Sequence, residues 1–391
     1  MKKRLLFDLL MAQPYGMVKF HGGGEYIKRI LKEILDKYLD RIELTVFYDK
    51  DRFIDDWLRK ALDAKSVQCL DIKDFHEVRR LLSEGTFDTF YSGLPYLYTR
   101  QEIPETVYAI GTFHGLRAVE CPHDDAREYM YVSGIKKHAK HKVRLLLTEY
   151  SPAFRQNRAS KILSGYQTSL EVFDLIISDS EHSEYTIRNF FPEIKKVVTC
   201  YAPLKESLMS ENIISKYGDF ILLVSADRWI KNSSRAVEAI DELYSRGHLD
   251  GVQVVLTGTL PKRVRQRLRY AERFTELGYV SAMDLEELYA SCRIFLYPTL
   301  NEGFGYPPLE AMKYERTCVV SAVCSVPEIC GNAVYYTNPY DVTEIENRIL
   351  QALAKPIDKE VINARLEEVA ARQRSDLDKL CGLIVEGRPE L

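Results

Sequence analysis

The sequence lacks several features that would place it in a special class of protein. It has no uninterrupted apolar run of the roughly 20 residues that a membrane-spanning helix requires, so we expect no such span. Its 54 basic and 57 acidic residues leave a net charge of −3, without the basic excess of a dedicated nucleic-acid binder. No Cys-x-x-Cys pair occurs among the eight cysteines, which argues against the common zinc and redox motifs. We expect buried, reduced thiols in a cytoplasmic protein.

The first residues also lack a complete targeting signal. Met1–Ala12 carries basic residues followed by apolar ones, as a signal peptide does. However, Asp8 interrupts the apolar part, and no small-residue cleavage site follows before Gln13. We interpret this segment as a first buried strand.

What the sequence does contain is enough apolar material for two cores. With 391 residues, 46% of them hydrophobic, two domains are expected. Short apolar runs alternate with amphipathic stretches, which predicts βαβ units and mainly parallel sheets. The predicted strands are Arg4–Leu10, Leu44–Tyr48, Phe87–Tyr91, Val107–Phe113, Leu175–Ser178, Lys196–Tyr201, Phe220–Ser225, Val252–Leu256, Ile294–Tyr297, Thr317–Ser321 and Ala333–Tyr336. The predicted helices include Glu25–Tyr38, Ser233–Arg246, Leu285–Ser291 and Leu309–Tyr314.

The predicted break between the domains follows Cys200, where a polar stretch separates one strand from the next. We predict a first Rossmann-like domain at residues 1–200, a second at 201–366 and a C-terminal helix or tail at 367–391. Open α/β sheets bind ligands beyond the carboxyl ends of their strands. We therefore expect the two domains to face each other across a ligand-binding cleft.

The segment Tyr297–Met312 carries the strongest functional signal. A strand ends there, a turn containing Gly303 and Gly305 follows, and a helix begins with two prolines in its first turn. Glu302 on the loop and Glu310 on the helix can therefore face the same cleft. The glycines permit close backbone approach to a ligand, and the helix N-terminus favours a bound anion.

A second signal follows the first strand of the second domain. Arg228 and Lys231 place two cations over the strand ends, and Asn232 or Ser233 can cap the next helix. Such a pair of cations suits a diphosphate, and the simpler alternative is a solvated basic turn.

Two weaker signals lie in the first domain. Consecutive glycines within Phe20–Tyr26 suit backbone contact with an anion, although a plain turn would also use them. The His-Gly-Gly-Gly sequence is also similar to the oxyanion loop of lipases, but the Gly-x-Ser-x-Gly elbow of that fold is missing. His114 ends a predicted strand, and a histidine in that place is as often structural as functional.

The Tyr297–Met312 segment resembles the Glu-x7-Glu motif of the retaining GT-B glycosyltransferases, a family that includes sucrose-phosphate synthase and bacterial mannosyltransferases. The resemblance implies that Glu302 contacts hydroxyls of the donor sugar and that Glu310 holds the nucleotide ribose. It also implies that the backbone at Gly303, Phe304 and Gly305 approaches the sugar and diphosphate.

The same resemblance extends to the other signals. It implies that Arg228 clamps phosphates, that Lys231 neutralises the leaving group and that His114 lies close to the transferred sugar. Further donor contacts are implied at Gly23, Gly24 and Val280. Departures from the family pattern include Asp227, which stands where many relatives have glycine.

The resemblance implies a retaining, metal-independent transfer of a hexosyl or deoxyhexosyl group from a UDP, GDP or dTDP sugar to a glycan or lipid-linked glycan. Synthesis of bacterial surface polysaccharide, such as O-antigen or capsule, is the expected setting. No cofactor is expected, because the nucleotide sugar is a substrate. One Asp-x-Asp triplet at residues 49–51 could bind a metal, but it lies in the wrong domain for the donor diphosphate.

Two alternatives use the same fold with a different activity. An epimerase or a phosphorylase would lack the paired glutamates. A non-catalytic nucleotide- or glycan-binding subunit would have no reason to keep all four charged residues of the predicted site: Glu302, Glu310, Arg228 and Lys231. The basic stretch at 136–161 permits two interpretations. It is either a peripheral contact with anionic lipid at the inner face of the membrane or a solvated helix face.

Overall fold

The computed structural model describes residues 2–14, 22–99, 103–123, 125–204 and 217–388. The chain divides into two compact units. Unit 1 comprises Met1–Leu116, Ser160–Leu204 and Ala371–Leu391, and unit 2 comprises Arg117–Ala159 and Lys205–Ala370. Among the described residues, no helix has both the length and the apolar character needed to cross a bilayer.

Unit 1 is built on a seven-stranded parallel sheet in the order β3-β2-β1-β4-β5-β6-β7. Its strands are β1 (Lys3–Asp8), β2 (Ile42–Tyr48), β3 (Gln68–Asp71), β4 (Thr89–Ser92), β5 (Tyr108–Phe113), β6 (Leu175–Ser178) and β7 (Val197–Thr199). Its helices are α1 (Gly22–Lys37), α2 (Asp56–Ala64), α3 (Phe75–Ser83) and α8 (Glu181–Phe190), together with most of α7 (Pro152–Leu170). The central strands are continuous buried runs, as expected of a parallel sheet with helices on both faces.

Unit 2 is built on a six-stranded parallel sheet in the order β10-β9-β8-β11-β12-β13. Its strands are β8 (Phe220–Leu223), β9 (Gln253–Leu256), β10 (Phe274–Glu276), β11 (Ile294–Tyr297), β12 (Thr317–Ser321) and β13 (Tyr335–Thr337). Its helices are α4 (Arg117–Glu120), α5 (Asp125–Glu128), α6 (Ile135–Tyr150), α9 (Ser233–Ser245), α10 (Lys262–Arg265), α11 (Ala282–Ser291), α12 (Tyr306–Met312), α13 (Val326–Cys330) and α14 (Val342–Ala354). The last helix, α15 (Lys359–Glu386), begins in unit 2 and ends in unit 1.

Strand order reverses at one place in each sheet, which determines where ligands can bind. In unit 1 the strand order runs outward in one direction from β1 and in the other direction from β4, and in unit 2 it does the same from β8 and β11. Open α/β sheets bind ligands at this switch point, beyond the carboxyl ends of the two strands. In unit 2 the loops that meet there are 224–232 and 298–305.

The prediction of two Rossmann-like α/β domains is confirmed by these sheets. Each strand that the sequence predicted is present, and Leu175–Ser178, Ile294–Tyr297 and Thr317–Ser321 have the predicted bounds. The strands β3 and β10 were missed because they are short and partly exposed, and so lack an apolar run.

The two units differ from the predicted domains 1–200, 201–366 and 367–391 in two segments. Residues 117–159 pack with unit 2, where Met130 joins the hydrophobic core and the Tyr131 hydroxyl accepts a hydrogen bond from the backbone N–H of Ser234 at 3.2 Å. Residues 371–388 pack with unit 1, where Leu380 and Ile384 are fully buried. Both associations join residues far apart in the sequence, which local patterns do not reveal.

Candidate functional site

The centre of the candidate site in unit 2 is a buried cluster of Lys231, Tyr297 and Glu302. Lys231 lies in a short turn after β8, and Glu302 lies on the loop after β11, so the switch point brings them together. The Lys231 ammonium donates hydrogen bonds to Glu302 Oε1 and to the Tyr297 hydroxyl, both at 2.5 Å. The Tyr297 hydroxyl in turn donates to Glu302 Oε1 at 2.6 Å. The three groups therefore form a closed ring of hydrogen bonds.

Glu302 uses its two carboxylate oxygens differently. Besides Lys231 and Tyr297, the Thr299 hydroxyl donates to Oε1 at 2.9 Å. Within the described residues, Oε2 accepts no hydrogen bond, and the side chain keeps 13% of its surface exposed. A carboxylate oxygen can accept from a ligand hydroxyl. The ring therefore fixes one oxygen and leaves the other for a ligand.

Burial and charge set the ionisation of this cluster. Burial lowers the pKa of Lys231, against the opposing charge of Glu302. Burial acts to raise the pKa of Glu302, but the charge of Lys231 and the hydrogen bonds from Lys231, Tyr297 and Thr299 hold it below its usual value. Burial also raises the pKa of Tyr297 well above its usual value, so its hydroxyl remains a donor. The arrangement is a buried ion pair whose partners are both hydrogen-bonded.

The loop that carries Arg228 and Lys231 is held at both ends. Ser225 and Asn232 have positive φ angles of 54° and 59°, which non-glycine residues adopt rarely. The Ser225 N–H donates to the Thr257 hydroxyl at 3.0 Å. Asn232, predicted as a helix cap, makes no capping bond with its side chain. Its amide instead donates to the carbonyls of Pro298 and Pro339 at 2.9 and 2.6 Å, which joins this loop to the one that carries Glu302.

Arg228 differs from Lys231 in its surroundings. It is exposed, and within the described residues its guanidinium has no hydrogen-bond or ion-pair partner. Its charge nevertheless contributes to the lowered pKa of Lys231, which places it close to the ring. A free cation beside a buried one suits an anionic ligand.

Glu310 lies on α12, whose first turn contains the two prolines as predicted. It hydrogen-bonds with the Tyr289 hydroxyl, and its charge acts on Tyr297, so it lies near the same cluster. Gly305 precedes the helix with a φ of 102°, as the sequence predicted, whereas Gly303 does not take a positive φ. The second carboxylate is therefore held on the same side as the first.

Two further predicted contacts lie in the neighbouring loops of unit 2. Phe304 is buried, and its carbonyl accepts from the Ser325 hydroxyl at 2.9 Å. Val280 is partly buried in the loop after β10. That loop is joined to the loop after β9 by the Gly258 N–H, which donates to the Gly278 carbonyl at 2.6 Å.

In unit 1, His114 follows β5 and is fixed on both ring nitrogens. Nδ1 lies 2.9 Å from Asp179 Oδ2, and Nε2 lies 2.9 Å from the Gly93 carbonyl. The Tyr26 ring packs edge-on against it at 4.6 Å. His114 is thus both positioned and partly buried, so its placement alone fits the structural interpretation as well as the functional one.

The glycine-rich segment of unit 1 is the first turn of a helix. Gly23 and Gly24 belong to α1, while Phe20 and His21 lie outside the described residues. A Cβ on Gly23 would come within 2.7 Å of the end of the Leu94 side chain, so a larger residue there would displace that side chain.

The Asp-x-Asp triplet at residues 49–51 is already paired. The Lys73 ammonium donates to Asp49 Oδ1 and Asp51 Oδ2, both at 2.7 Å, and lies 3.0 Å from Asp71. Hydrogen bonding from Lys73 lowers the pKa of Asp49. These carboxylates surround a lysine of their own unit.

Sequence reasoning missed the residues that support the predicted ones. Tyr297 and Thr299 were seen only as part of the motif, although they lie five and three residues before Glu302. Asp179, the partner of His114, stands in another segment of the chain. A polar hydroxyl at the end of an otherwise apolar strand was the signal for Tyr297, since a buried hydroxyl requires a partner.

Comparisons with known proteins agree with this geometry. Residues 219–355 match the family model described as glycosyl transferases group 1. Over 89 residues the chain is 46% identical to O-antigen chain mannosyltransferase B of Escherichia coli, and the aligned part spans 23% of each protein. The chain therefore matches less than a quarter of that relative's length.

Solved structures show the same fold over nearly the whole chain. Sucrose-phosphate synthase from Thermosynechococcus elongatus has a TM-score of 0.70 at 14% identity, covering 98% of both chains. The HepE protein of Anabaena, solved in complex with UDP, has a TM-score of 0.63 at 16% identity, again covering 98% of both chains.

The two sheets and their order define a protein of the GT-B fold. Within that class, residues 219–355 of unit 2 match the glycosyl transferases group 1 family. The family resemblance predicted from Glu302 and Glu310 is therefore confirmed.

Proposed function

We propose that the chain is a glycosyltransferase that moves a hexosyl group from a nucleoside diphosphate sugar to a glycan or lipid-linked glycan. The observation that carries the proposal is the ring of Lys231, Tyr297 and Glu302 at the switch point of unit 2. It supplies a fixed cation and a carboxylate oxygen free to accept a hydroxyl. An unpartnered Arg228 beside it supplies a second cation.

The cations suit the leaving group of the reaction. Departure of a nucleoside diphosphate breaks the bond between the sugar C1 and the phosphate oxygen, and negative charge develops on that oxygen. Arg228 and Lys231 would stabilise this charge, and fixed cations in a partly buried site act more strongly than in water. Arg228 can also grip two phosphate oxygens with its planar guanidinium.

The carboxylates suit the hydroxyls of the donor. Glu302 Oε2 would accept from a sugar hydroxyl, while Glu310, held by Tyr289, would accept from the ribose. Charge-assisted hydrogen bonds of this type contribute about 1.5–3 kcal/mol each. In unit 1 we propose that His114 contacts the transferred sugar and that Gly23 and Gly24 contact the donor phosphates, on the family resemblance.

Two finer features of the reaction are also proposals. Retention of configuration at the anomeric carbon follows from the family resemblance, and proton NMR of the product would test it through the anomeric coupling. Metal independence is supported by the cations that take the place of a metal at the diphosphate. Transfer that stops in EDTA and resumes with magnesium would contradict it.

We propose mannose as the transferred sugar and O-antigen or another surface polysaccharide as the product. The support is the Escherichia coli relative, whose name gives that sugar and that polymer. Its match covers only part of both chains, so a panel of donor sugars must accompany the test. A transfer assay with radiolabelled mannose, glucose and galactose donors separates these possibilities.

Helix α6 supports a peripheral contact with the inner face of an anionic membrane. At 100° per residue, its exposed apolar side chains share one stripe about 120° wide: Ile135, Val143, Leu146, Leu147 and Tyr150. The buried His141 and Thr148 lie on the opposite face. The exposed residues Lys140 and Lys142 flank the stripe on its two sides, and the exposed Lys136 lies within it at the start of the helix. An apolar stripe bordered by lysines fits a lipid surface.

Vesicle flotation tests this contact. We expect binding to phosphatidylglycerol vesicles and much weaker binding to phosphatidylcholine. Leu146→Ser with Leu147→Ser should abolish binding, whereas Phe190→Ser, another exposed apolar residue, should not. Equal flotation with both lipids, or none with either, would contradict the membrane proposal.

The first experiment on the activity is a thermal-shift series with UDP, GDP, dTDP and ADP, each with and without EDTA. A ligand at a hundred times its Kd adds about 2.7 kcal/mol of stability. We expect one diphosphate to stabilise the chain regardless of EDTA, and Arg228→Ala to remove the shift. No response to any of the four would favour the alternative of a non-catalytic GT-B subunit.

A further inference from the structure

The short helix α4 is built onto the two loops that form the candidate site. Cys121, directly after it, is buried against Ile230 and Leu300, with Trp229 packed at the edge. Glu120 Oε2 accepts a hydrogen bond from the Asn301 amide at 2.9 Å. This helix therefore abuts the turn that carries Lys231 and the loop that carries Glu302.

Arg117 lies on the same side of this helical turn as Cys121. The Cys121 N–H donates to the Arg117 carbonyl at 2.8 Å, which is the bond of an α-helical turn. Residues four apart lie on one face of a helix. Because Cys121 packs against the site loops, the Arg117 side chain starts from the face that adjoins them. Burial is the largest cause of the lowered pKa of Lys231, and the positive charges of Arg228 and Arg117 both lower it further.

Two of the cations around the site have no acid paired with them among the described residues. Arg117 and Arg228 are both exposed, and within the described residues neither guanidinium has a hydrogen-bond or ion-pair partner. Glu302 is paired with Lys231, and Glu120 with the Asn301 amide. Asp227 is the other acid on this loop. The two unpaired guanidinium groups repel each other, so their proximity favours a ligand with more than one negative charge.

We propose that Arg117 is a third diphosphate-binding residue, acting with Arg228 and Lys231 on the phosphates of the donor. This deepens the proposed function and rests on it. A nucleoside diphosphate carries two to three negative charges, which three cations can match. Arg117 belongs to the first segment of unit 2, Arg117–Ala159, and would reach the phosphates from the short helix α4 that packs on the site loops.

Isothermal titration of the full chain with UDP, GDP, dTDP and ADP tests this role. We expect Arg117→Ala to raise the Kd of the tightest-binding diphosphate by about tenfold. The Kd should also depend less on salt concentration, since a charge contact is lost. The Kd of Arg117→Lys should lie between those of the unmodified chain and of Arg117→Ala, because lysine keeps the charge without the planar guanidinium. The control is Arg374→Ala, another exposed arginine without a partner among the described residues.

The outcomes separate the two proposals. If the unmodified chain binds a diphosphate and Arg117→Ala binds it within twofold of Arg374→Ala, the role of Arg117 is contradicted while the proposed function stands. If the unmodified chain binds none of the four, both proposals fail. Equal melting temperatures of the variants would show that an affinity loss comes from the contact and not from misfolding.

Discussion

At the residue scale, Tyr297 is the least expected member of the candidate site. Its hydroxyl accepts from Lys231 and donates to Glu302 Oε1, so it fixes both charged groups. Removing it leaves the ion pair and the Thr299 hydrogen bond in place, but each charged group loses one hydrogen bond and gains freedom to move. Because the reaction needs a cation and a carboxylate in set positions, such freedom lowers the rate more than it lowers stability.

We expect Tyr297→Phe to reduce kcat for sugar transfer by about tenfold or more, on the scale of one lost hydrogen bond to a charged group. The matched control is Tyr336→Phe, whose hydroxyl donates to the Gly331 carbonyl at 2.6 Å in the same unit. Steady-state kinetics of both variants measure the difference. Equal rates for the two variants would show that Tyr297 only packs.

The buried carboxyl of Asp8 should make the free energy of unfolding depend on pH. Burial raises its pKa from 3.8 to about 6, against hydrogen bonds from Ser92 and Tyr98 at 2.7 and 2.9 Å. The folded state therefore binds a proton more tightly than the unfolded state does. The resulting stability is fully present below pH 3.8 and is lost as the pH rises through 6.

We expect the stability of the chain relative to Asp8→Asn to fall by about 2 kcal/mol between pH 4 and 7, since each pKa unit corresponds to about 1.4 kcal/mol and part of the loss already occurs below pH 4. Urea unfolding of both proteins at several pH values measures this difference. Parallel stability curves across that range would show that Asp8 is not the group that titrates.

At the element scale, the turn after β9 supports the loop that carries Arg228. Gly258 has a φ of 75°, and a Cβ there would lie 2.3 Å from Asp227 Oδ1 and 3.0 Å from the Ala226 backbone nitrogen. The absence of a side chain thus lets the two turns approach each other. A Gly258→Ala change should displace Asp227 and, with it, the neighbouring Arg228.

Gly247→Ala is the control, because Gly247 has a similar φ of 70° with no atom near its would-be Cβ. Each change should cost about 1–3 kcal/mol for the unfavourable backbone. Only Gly258→Ala should also weaken diphosphate binding, as titration calorimetry would detect. If both variants bind equally well, the turn does not position Arg228.

Elements of the fold were predictable from sequence to different extents. Buried strands such as Ile294–Tyr297 and Thr317–Ser321 were placed well because parallel strands covered on both faces are continuous apolar runs. The weakly apolar Gln68–Asp71 was not, since its side chains are partly exposed. The charged residues of unit 2 were predictable because they stand directly after such strands. The supporting hydroxyls of Tyr297 and Thr299 and the position of Arg117 were not predictable, because those contacts depend on packing between distant segments.

At the scale of the whole molecule, the part of helix α15 that follows Ala370 belongs to unit 1 and is not an appended tail. Asp376 accepts from the Tyr201 N–H at 2.9 Å, and the Arg372 guanidinium lies 3.8 Å from the centre of the Tyr201 ring. Leu380 and Ile384 are fully buried. The charged helical pattern of this segment predicted a helix or tail, and its many charged residues hide the few apolar positions that are buried.

Truncation after Ala370 should therefore unfold unit 1 and spare unit 2. It removes the buried side chains Leu380, Cys381, Ile384 and Val385. Burial of one large apolar side chain contributes about 1.5–3 kcal/mol, so the loss is comparable with the roughly 5–15 kcal/mol that stabilises a whole domain. Limited proteolysis with mass spectrometry should find new cleavage sites within 22–116 but not within 217–354. Truncation after Arg388 is the control, and it should leave the digestion pattern unchanged. Protection of unit 1 in the shorter chain would mean that its sheet is stable without the helix, and that α15 serves only as a covering.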